Sequence, residues 1–330
     1  MSKKLKLCFI GDLSSTFIKR DYEILKKHFT VDVIEPPKKK SGWLKYTFTI
    51  AEKVRQSNLT FSWFAGWHSA FAVFFSELFR KNFIVIVGGY DAAYVPEIDY
   101  GAFTNLKEKI PAMYVLKRAD VVLPFSNFSK NEVLKWTKPK NMQVVYIGVD
   151  TNEFKPMGNK EHVAITVGGI KKSNLKRKGI EIFVKAARHL PDIHFVVIGK
   201  PSDDSIEYLR SIASPNVGFT GFVTDEELVR WYQRAKVYVQ PSKHEGFGSA
   251  VAEAMLCECI PVVSGEGALS EVVGTCGFYS PYGNDKAVAD AIKEALNSQK
   301  GKEARERIKN LYYIEKREKE LIEIIEDVIT

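Results

Sequence analysis

The sequence predicts an α/β protein built on two doubly wound parallel sheets, and three observations carry that expectation. The chain has 330 residues, too long for one ordinary core and suited to two α/β domains of about 150 residues each. Short apolar runs alternate with longer segments of helical period, the pattern of parallel βαβ units. That rhythm pauses at Lys155-Pro156 and then starts again.

In the first half the apolar runs are LKLCFIGD, VDVIEP, LTFSWF, FIVIVGG and ADVVLPFS, with helical patterns near 16–28, 43–56 and 68–80. In the second half HVAITVGG, IHFVVIGK, VGFTGFV, AKVYVQPS and IPVVSG alternate with helical patterns near 178–189, 204–212, 224–234 and 248–256. The runs have strand length, and many close on glycine, proline or serine, where the chain turns most easily. The division expected is 1–150 for one Rossmann-like domain and 151–311 for a second. The helix at about 312–330 carries ELIEIIEDVI, whose apolar face needs a surface: either its own domain or the first.

Composition narrows the class. At 45% hydrophobic and 27% charged residues the chain is globular rather than disordered, and it has no apolar run of the roughly 20 residues that span a bilayer. MSKKLKLCFIGDLSS begins with lysines as a signal peptide does, but its apolar run is only Leu5 to Ile10 and ends in a turn; it reads as a first strand and the protein as cytoplasmic. Cys8, Cys257, Cys259 and Cys276 lack the partner ligands of a zinc site and read as buried thiols. Charge is uneven: residues 1–150 hold 23 Lys+Arg against 14 Asp+Glu, a net +9, whereas 151–330 hold 25 against 26, a net −1. The basic half points to an anionic partner such as a phospholipid surface, a polyphosphate or nucleic acid.

The chemistry concentrates in PSKHEGFGSAVAEAM, residues 241–255. A strand, AKVYVQPS, runs into a glycine turn, GFG, and then a helix start. Ligands of doubly wound sheets sit at the carboxyl ends of strands, and helix N-termini present free N–H groups to anions. A phosphate there would leave Glu245, at the strand end, and Glu253, in the following helix, to accept hydrogen bonds from the hydroxyls of a nucleotide sugar. On spacing alone the alternative stays open: a glutamate near a helix start is ordinary dipole complementation, and one Gly-x-Gly is weak evidence for a nucleotide.

Further segments follow in order: Arg118-Ala-Asp-Val-Val-Leu-Pro-Phe-Ser126, Ile147-Gly-Val-Asp150, Val167-Gly-Gly169, Lys178-Gly179, Val197-Ile-Gly199, Gly221-Phe-Val-Thr-Asp-Glu-Glu-Leu228, Glu245-Gly-Phe-Gly-Ser249, Glu253-Ala254, Pro261-Val-Val263 and Ala268-Leu-Ser-Glu-Val-Val-Gly274. This succession resembles the retaining glycosyltransferases of the GT-B fold, family 4 (glycosyl transferases group 1), over nearly all of 118–295. The Glu245/Glu253 spacing is its sharpest element, and residues 1–117 match in layout more than in residues.

The resemblance implies two Rossmann-like domains facing across a cleft, the second binding a nucleotide-sugar donor and the first an acceptor, either a glycan or a lipid-linked molecule. It implies that Glu245 and the turn Gly246, Phe247, Gly248 and Ser249 hold donor sugar and diphosphate, that Glu253 holds the ribose hydroxyls, and that Lys178 binds the diphosphate. Gly169, Lys171 and Gly199 would lie along the donor, and Val223 would border the base. No metal or other cofactor is expected, since the chain lacks the Asp-x-Asp of the other large glycosyltransferase fold. Three positions depart from the family. Gly169 stands where an arginine is usual, leaving Lys171, Lys172, Lys176 or Arg177 to supply the charge. Val87-Gly-Gly-Tyr-Asp91 replaces a segment with a histidine near the reacting centre, and Asp91 is the nearest polar substitute, expected in catalysis and acceptor binding. Glu258 replaces a glycine.

On the acceptor side, His68, Tyr90, Asp91 and Tyr94 are the candidates, in a loop, GGYDAAYVPEIDYG, rich in hydrogen-bonding groups and aromatics; Trp63, Trp67 and His68 read equally as core. Residues 38–48, KKKSGWLKYTF, join lysines to aromatics as a segment on the inner face of an anionic membrane would, or form a solvated turn before a core helix. Rival classes fare worse. A dinucleotide oxidoreductase needs Gly-x-Gly-x-x-Gly after the first strand, and LCFIGDLSSTF offers Gly11 alone. A hydrolase gains nothing from carboxylates flanking an anion-binding turn. A nucleic-acid-binding protein explains the basic half but brings no recognition signature, so no nucleic acid is expected. A GT-B epimerase, or a relative that binds donor without turnover, shares the fold and stays in contention.

Overall fold

The structure is a computed structural model of the chain and describes residues 4–37 and 39–329. It divides into two compact units: residues up to Ile147 together with those from Glu315 onward, and Gly148–Ile314. Each holds one parallel sheet, as the alternation of runs requires.

The first unit comprises β1 (Lys6–Ile10), α1 (Thr16–His28), β2 (Thr30–Ile34), α2 (Trp43–Gln56), β3 (Leu59–Trp63), α3 (Trp67–Leu78), β4 (Asn82–Val87), α4 (Leu106–Arg118), β5 (Val121–Pro124) and α5 (Asn127–Leu134). Strand order is β2-β1-β3-β4-β5. Strands β3 and β5 are buried along their whole length, β1 and β4 from their second residue, and their sequences accordingly read as continuous apolar runs. The steps β2→β3, β3→β4 and β4→β5 run the same way across the sheet, so right-handed crossovers put α2, α3 and α4 on one face. Ile50, Val54, Ala72, Val85 and Val115 form the core between them and the strands.

The second unit comprises β6 (Glu161–Val167), α6 (Lys172–Arg177), α7 (Ile180–Ala186), β7 (His194–Ile198), α8 (Ser205–Ile212), β8 (Val217–Gly221), α9 (Asp225–Arg234), β9 (Ala235–Gln240), α10 (Ser249–Leu256), β10 (Ile260–Ser264), α11 (Leu269–Val273), β11 (Phe278–Ser280), α12 (Asp285–Asn297) and α13 (Gly301–Leu311). Its order is β11-β10-β9-β6-β7-β8, with Phe183, Phe195, Val237, Val262 and Ile292 in the core. The last helix, α14 (Ile314–Ile329), belongs to the first unit from Glu315.

Two local features differ from the sequence reading. The helix expected near 178–189 starts at Ile180, as α7, and is preceded by a short helix, α6, that the sequence reading did not expect; Gly179, whose φ is +70°, lies between them. A β-carbon at Gly179 would collide with the Pro241 carbonyl, so the backbones there approach as only glycine permits. Glu258 closes α10 in the left-handed region, φ +64°, with its N–H donating to the Met255 carbonyl and the Cys259 N–H to the Ala254 carbonyl, both at 2.9 Å. This is the helix ending that favours glycine; nothing in the structure explains the glutamate in its place. Glu258→Gly is therefore expected to stabilise the protein by about 0.5–1 kcal/mol, relief of left-handed strain exceeding the added chain entropy of the unfolded state; thermal melts of the two proteins check it.

The four cysteines are free and buried, and burial pushes the Cys8 and Cys257 thiols up to about 12. No described helix is long and apolar enough to cross a membrane.

Candidate functional site

In the second unit the carboxyl ends of β6 and β9 converge. Strand β9 runs into Pro241-Ser242-Lys243-His244-Glu245, and Gly248, left-handed at φ +96°, turns the chain into α10. Beside them the α6–α7 junction brings up Arg177 and Lys178. The Lys178 chain lies across Gly168 at the end of β6: a β-carbon there would come within 2.8 Å of its Cδ. Both cations reach one oxygen of Glu245, Lys178 Nζ at 3.2 Å and Arg177 Nη1 at 3.4 Å, and the Ser242 hydroxyl donates to the same oxygen at 3.4 Å.

The cluster is fixed from behind. Asn174, buried, accepts from Arg177 Nη2 at 2.9 Å while its amide donates to the Gly169 carbonyl at 2.8 Å. The Arg177 carbonyl accepts from the Lys243 N–H at 2.8 Å, and the Glu245 carbonyl from the Ala268 N–H at 2.9 Å. Glu245 is 8% exposed. Burial pushes its carboxyl up, but the charges of Lys178 and Arg177 outweigh that and hold it below its ordinary value. A depressed carboxyl adds stability that is present above the unfolded value, about 4.3, and lost as pH falls through the lower folded value. Glu245→Gln is thus expected to flatten the acid limb of the stability curve below about pH 4, measured as melting temperature against pH.

The remaining donor-side residues are placed as follows. Ser249 opens α10, partly buried. The Phe247 side chain is core, 3% exposed and packed edge-on against Tyr312 at 5.4 Å. Glu253 is partly buried and accepts from the Tyr232 hydroxyl at 3.4 Å. Gly199 abuts the Gly168 carbonyl so closely that a β-carbon would collide with it. Gly169 and Lys171 are exposed. Val223 lies in a surface groove of about 370 Å³ with Thr220, Phe222, Glu227, Arg230, Trp231 and Arg234.

The first-unit candidates are placed differently. Asp91 is 4% exposed, and its carboxylate accepts the N–H groups of Ala65 (2.9 Å), Gly88 (3.2 Å) and Gly89 (3.0 Å). Burial pushes it up against the opposing pull of those N–H groups. Its oxygens hold a turn together. His68 Nε2 is 2.8 Å from the Trp63 carbonyl, and burial holds the ring below its ordinary value, so the neutral imidazole donates there. Both residues, with Ser69 donating to the Phe64 carbonyl at 2.5 Å, pin the bend after β3, where Phe64 sits at φ +66°. Tyr90 and Tyr94 are about half exposed, edge-on against Tyr100 and Trp136. Trp63 is core, 1% exposed, and Trp67 is exposed.

The sequence reading passed over Ser242 and Asn174 and left Arg177 as one of four candidates. The position of Arg177, one residue before Lys178 at the end of a short helix, was the available signal.

Comparison with known proteins bears on this site. The sequence profile of the glycosyl transferases group 1 family matches residues 152–313, which contain the whole Arg177, Lys178 and Glu245 cluster. The serotype-specific mannosyltransferase WbdA of Escherichia coli is 27% identical over 187 residues, covering 48% of this chain and 22% of that protein. Alpha-galactosylglucosyldiacylglycerol synthase of Streptococcus pneumoniae is 26% identical over 192 residues, covering 56% of this chain and 48% of that protein. The chain thus spans half or less of the length of these curated relatives. The Anabaena protein HepE, solved in complex with UDP and glucose, shares the fold at a TM-score of 0.81 over 98% of this chain and 100% of that one, with 17% identity. Residues 152–313, just under half of the chain, match the glycosyl transferases group 1 family.

Proposed function

We propose that this protein transfers a hexose from a nucleotide diphosphate-sugar to an acceptor hydroxyl with retention at the anomeric carbon. The observation that carries the reading is the convergence of Arg177 and Lys178 on Glu245 beside the glycine turn that opens α10. Two cations against one carboxylate leave a surplus positive charge at a helix N-terminus, an arrangement suited to a diphosphate. Arg177 takes the part of the arginine absent at Gly169, with Asn174 holding its guanidinium in place.

In the reaction the bond between the anomeric carbon and the diphosphate oxygen breaks, and the electron pair leaves with the nucleoside diphosphate. Arg177, Lys178 and the turn amides stabilise that charge, a device whose single members are commonly worth about 3–4 kcal/mol. The acceptor oxygen bonds to the same face of the sugar, and its proton passes to the departing phosphate oxygen. Glu245, ion-paired and held below its ordinary carboxyl value, is a poor base; it is assigned to sugar hydroxyls and to holding the two cations ready. Glu253 is assigned to the ribose. No step in this scheme calls for a metal or other cofactor.

Support for the donor comes from the fold shared with HepE, which was solved with UDP and glucose. The names of the relatives favour a glycan or lipid-linked acceptor. The same proposal keeps the acceptor at an anionic inner membrane face, with residues 38–48 the segment first expected there; Lys38 lies outside the described residues.

A panel of UDP-, GDP- and ADP-sugars tests the donor by thermal shift, since ligand at about 100 times its dissociation constant adds roughly 2.7 kcal/mol. Release of nucleoside diphosphate that depends on an added acceptor then separates transfer from binding without turnover. Absence of any shift across the panel overturns the reading.

A further inference from the structure

The helices α2, α3 and α4 are apolar on two sides. Helix α2 buries Tyr46, Ile50 and Val54 yet leaves Leu44 and Phe48, one turn apart, 73% and 69% exposed. Helix α3, WHSAFAVFFSEL, has no polar face: Ala72 and Val73 are buried, while Trp67, Phe74 and Leu78 stand 45%, 50% and 60% exposed. Helix α4 buries Ala112, Val115 and Leu116 and exposes Leu106 and Ile110. A helix that is apolar all round is one that something covers on every side, and here one side faces solvent.

These exposed side chains lie on neighbouring helices of one sheet face. Trp43 of α2 packs on Phe71 of α3, with ring centroids 5.8 Å apart, and Phe71 is 6.5 Å from Trp67. Tyr114 and Arg118 of α4 both reach Glu77 of α3, at 3.4 and 3.2 Å. Since α3 and α4 run the same way, that register sets Ile110 beside the Phe74 turn. The stripes therefore form one surface.

Charge identifies what covers it. The three helices carry seven basic residues (Lys45, Lys53, Arg55, Lys107, Lys109, Lys117, Arg118) against three acidic ones (Glu52, Glu77, Glu108). Lys45 and Lys107, both exposed, directly follow Leu44 and Leu106. A second copy seated on this face would bring like charge against like, and nucleic acid would have no use for the apolar stripes. Lysines beside exposed leucine and aromatic side chains match an anionic bilayer, whose interface takes apolar groups below its headgroups and cations among them. We propose that the outer face of α2, α3 and α4 is a docking surface for anionic lipid bilayer, wider than residues 38–48 and independent of the donor-site reading.

Vesicle sedimentation of the full chain tests this without reference to sugar transfer. The protein is expected to sediment with phosphatidylcholine vesicles containing phosphatidylglycerol, and much less with phosphatidylcholine alone. The triple variant Phe48→Glu, Phe74→Glu, Ile110→Glu, all at exposed positions, is expected to lose at least about tenfold in partitioning at an unchanged melting temperature. Quenching by brominated lipid, expected in the parent and reduced in Trp67→Phe, gives a readout that needs no charged variant to fold. Failure of the parent to sediment with either vesicle, unchanged partitioning of the triple variant, or quenching untouched by Trp67→Phe overturns the proposal. So does a dimer in sedimentation equilibrium without lipid that the triple variant abolishes.

Discussion

Replacing Arg177 and Lys178 together by glutamine is expected to weaken nucleotide diphosphate-sugar binding by a factor of about a hundred to ten thousand. Each cation offers the diphosphate a charge-assisted hydrogen bond worth about 1.5–3 kcal/mol, and about 1.4 kcal/mol is tenfold in affinity. The two single substitutions should each cost less than the pair, because either cation left in place still offsets Glu245, which both reach through one oxygen. Removing both leaves a carboxylate that is 8% exposed without its counter-charges, so the double variant should also melt lower without ligand. Adding Glu245→Gln should recover much of that melting temperature and none of the affinity. Calorimetric titration beside unliganded melts separates the two effects.

The largest expected effect on stability lies in the first unit. Arg317 of α14, 3% exposed, donates from Nε and Nη2 to both oxygens of Asp21 at 2.7 Å; Asp21 is 1% exposed. Its Nη1 donates to the carbonyls of Val145 (3.0 Å) and Tyr146 (2.7 Å), and the guanidinium lies 5.7 Å from the Trp63 ring. One side chain thus fastens α14 to α1 and to the segment after α5. Arg317→Ala leaves a buried carboxylate and two carbonyls without that partner and is expected to cost about 3–5 kcal/mol. The paired replacement Arg317→Met with Asp21→Leu should cost much less, since it removes both charges together. Urea unfolding of the three proteins measures the difference. Equal losses for the single and paired variants would mean that packing, not charge, holds the helix.

The contrast between these two clusters shows what a sequence discloses. The sheets were legible because buried parallel strands must be apolar throughout, and runs such as FIVIVGG and HVAITVGG admit little else. The Glu245 turn was legible because glycine at 248 and a strand-to-helix transition are local properties. Arg177 was not singled out, because its aim at Glu245 depends on the break at Gly179, forced by the Pro241 carbonyl some sixty residues away in sequence. The surroundings of Asp91 were hidden for a related reason: the partners of the N–H groups near a carboxylate in a glycine-rich loop are known only from the fold. The role of Arg317 could not be read at all, since a charged residue in a charged helix looks solvated. Glu258 is intermediate, its departure visible in the sequence and its left-handed backbone visible only in the fold.

The central claim, that the turn at Glu245 grips a nucleotide-sugar through its diphosphate, is tested most directly by hydrogen–deuterium exchange with and without the donor that the thermal-shift panel selects. The account predicts slowed exchange at the amides of residues 177–179 and 246–249. Donor binding with exchange in those two segments unchanged, and protection confined to other parts of the chain, would contradict it.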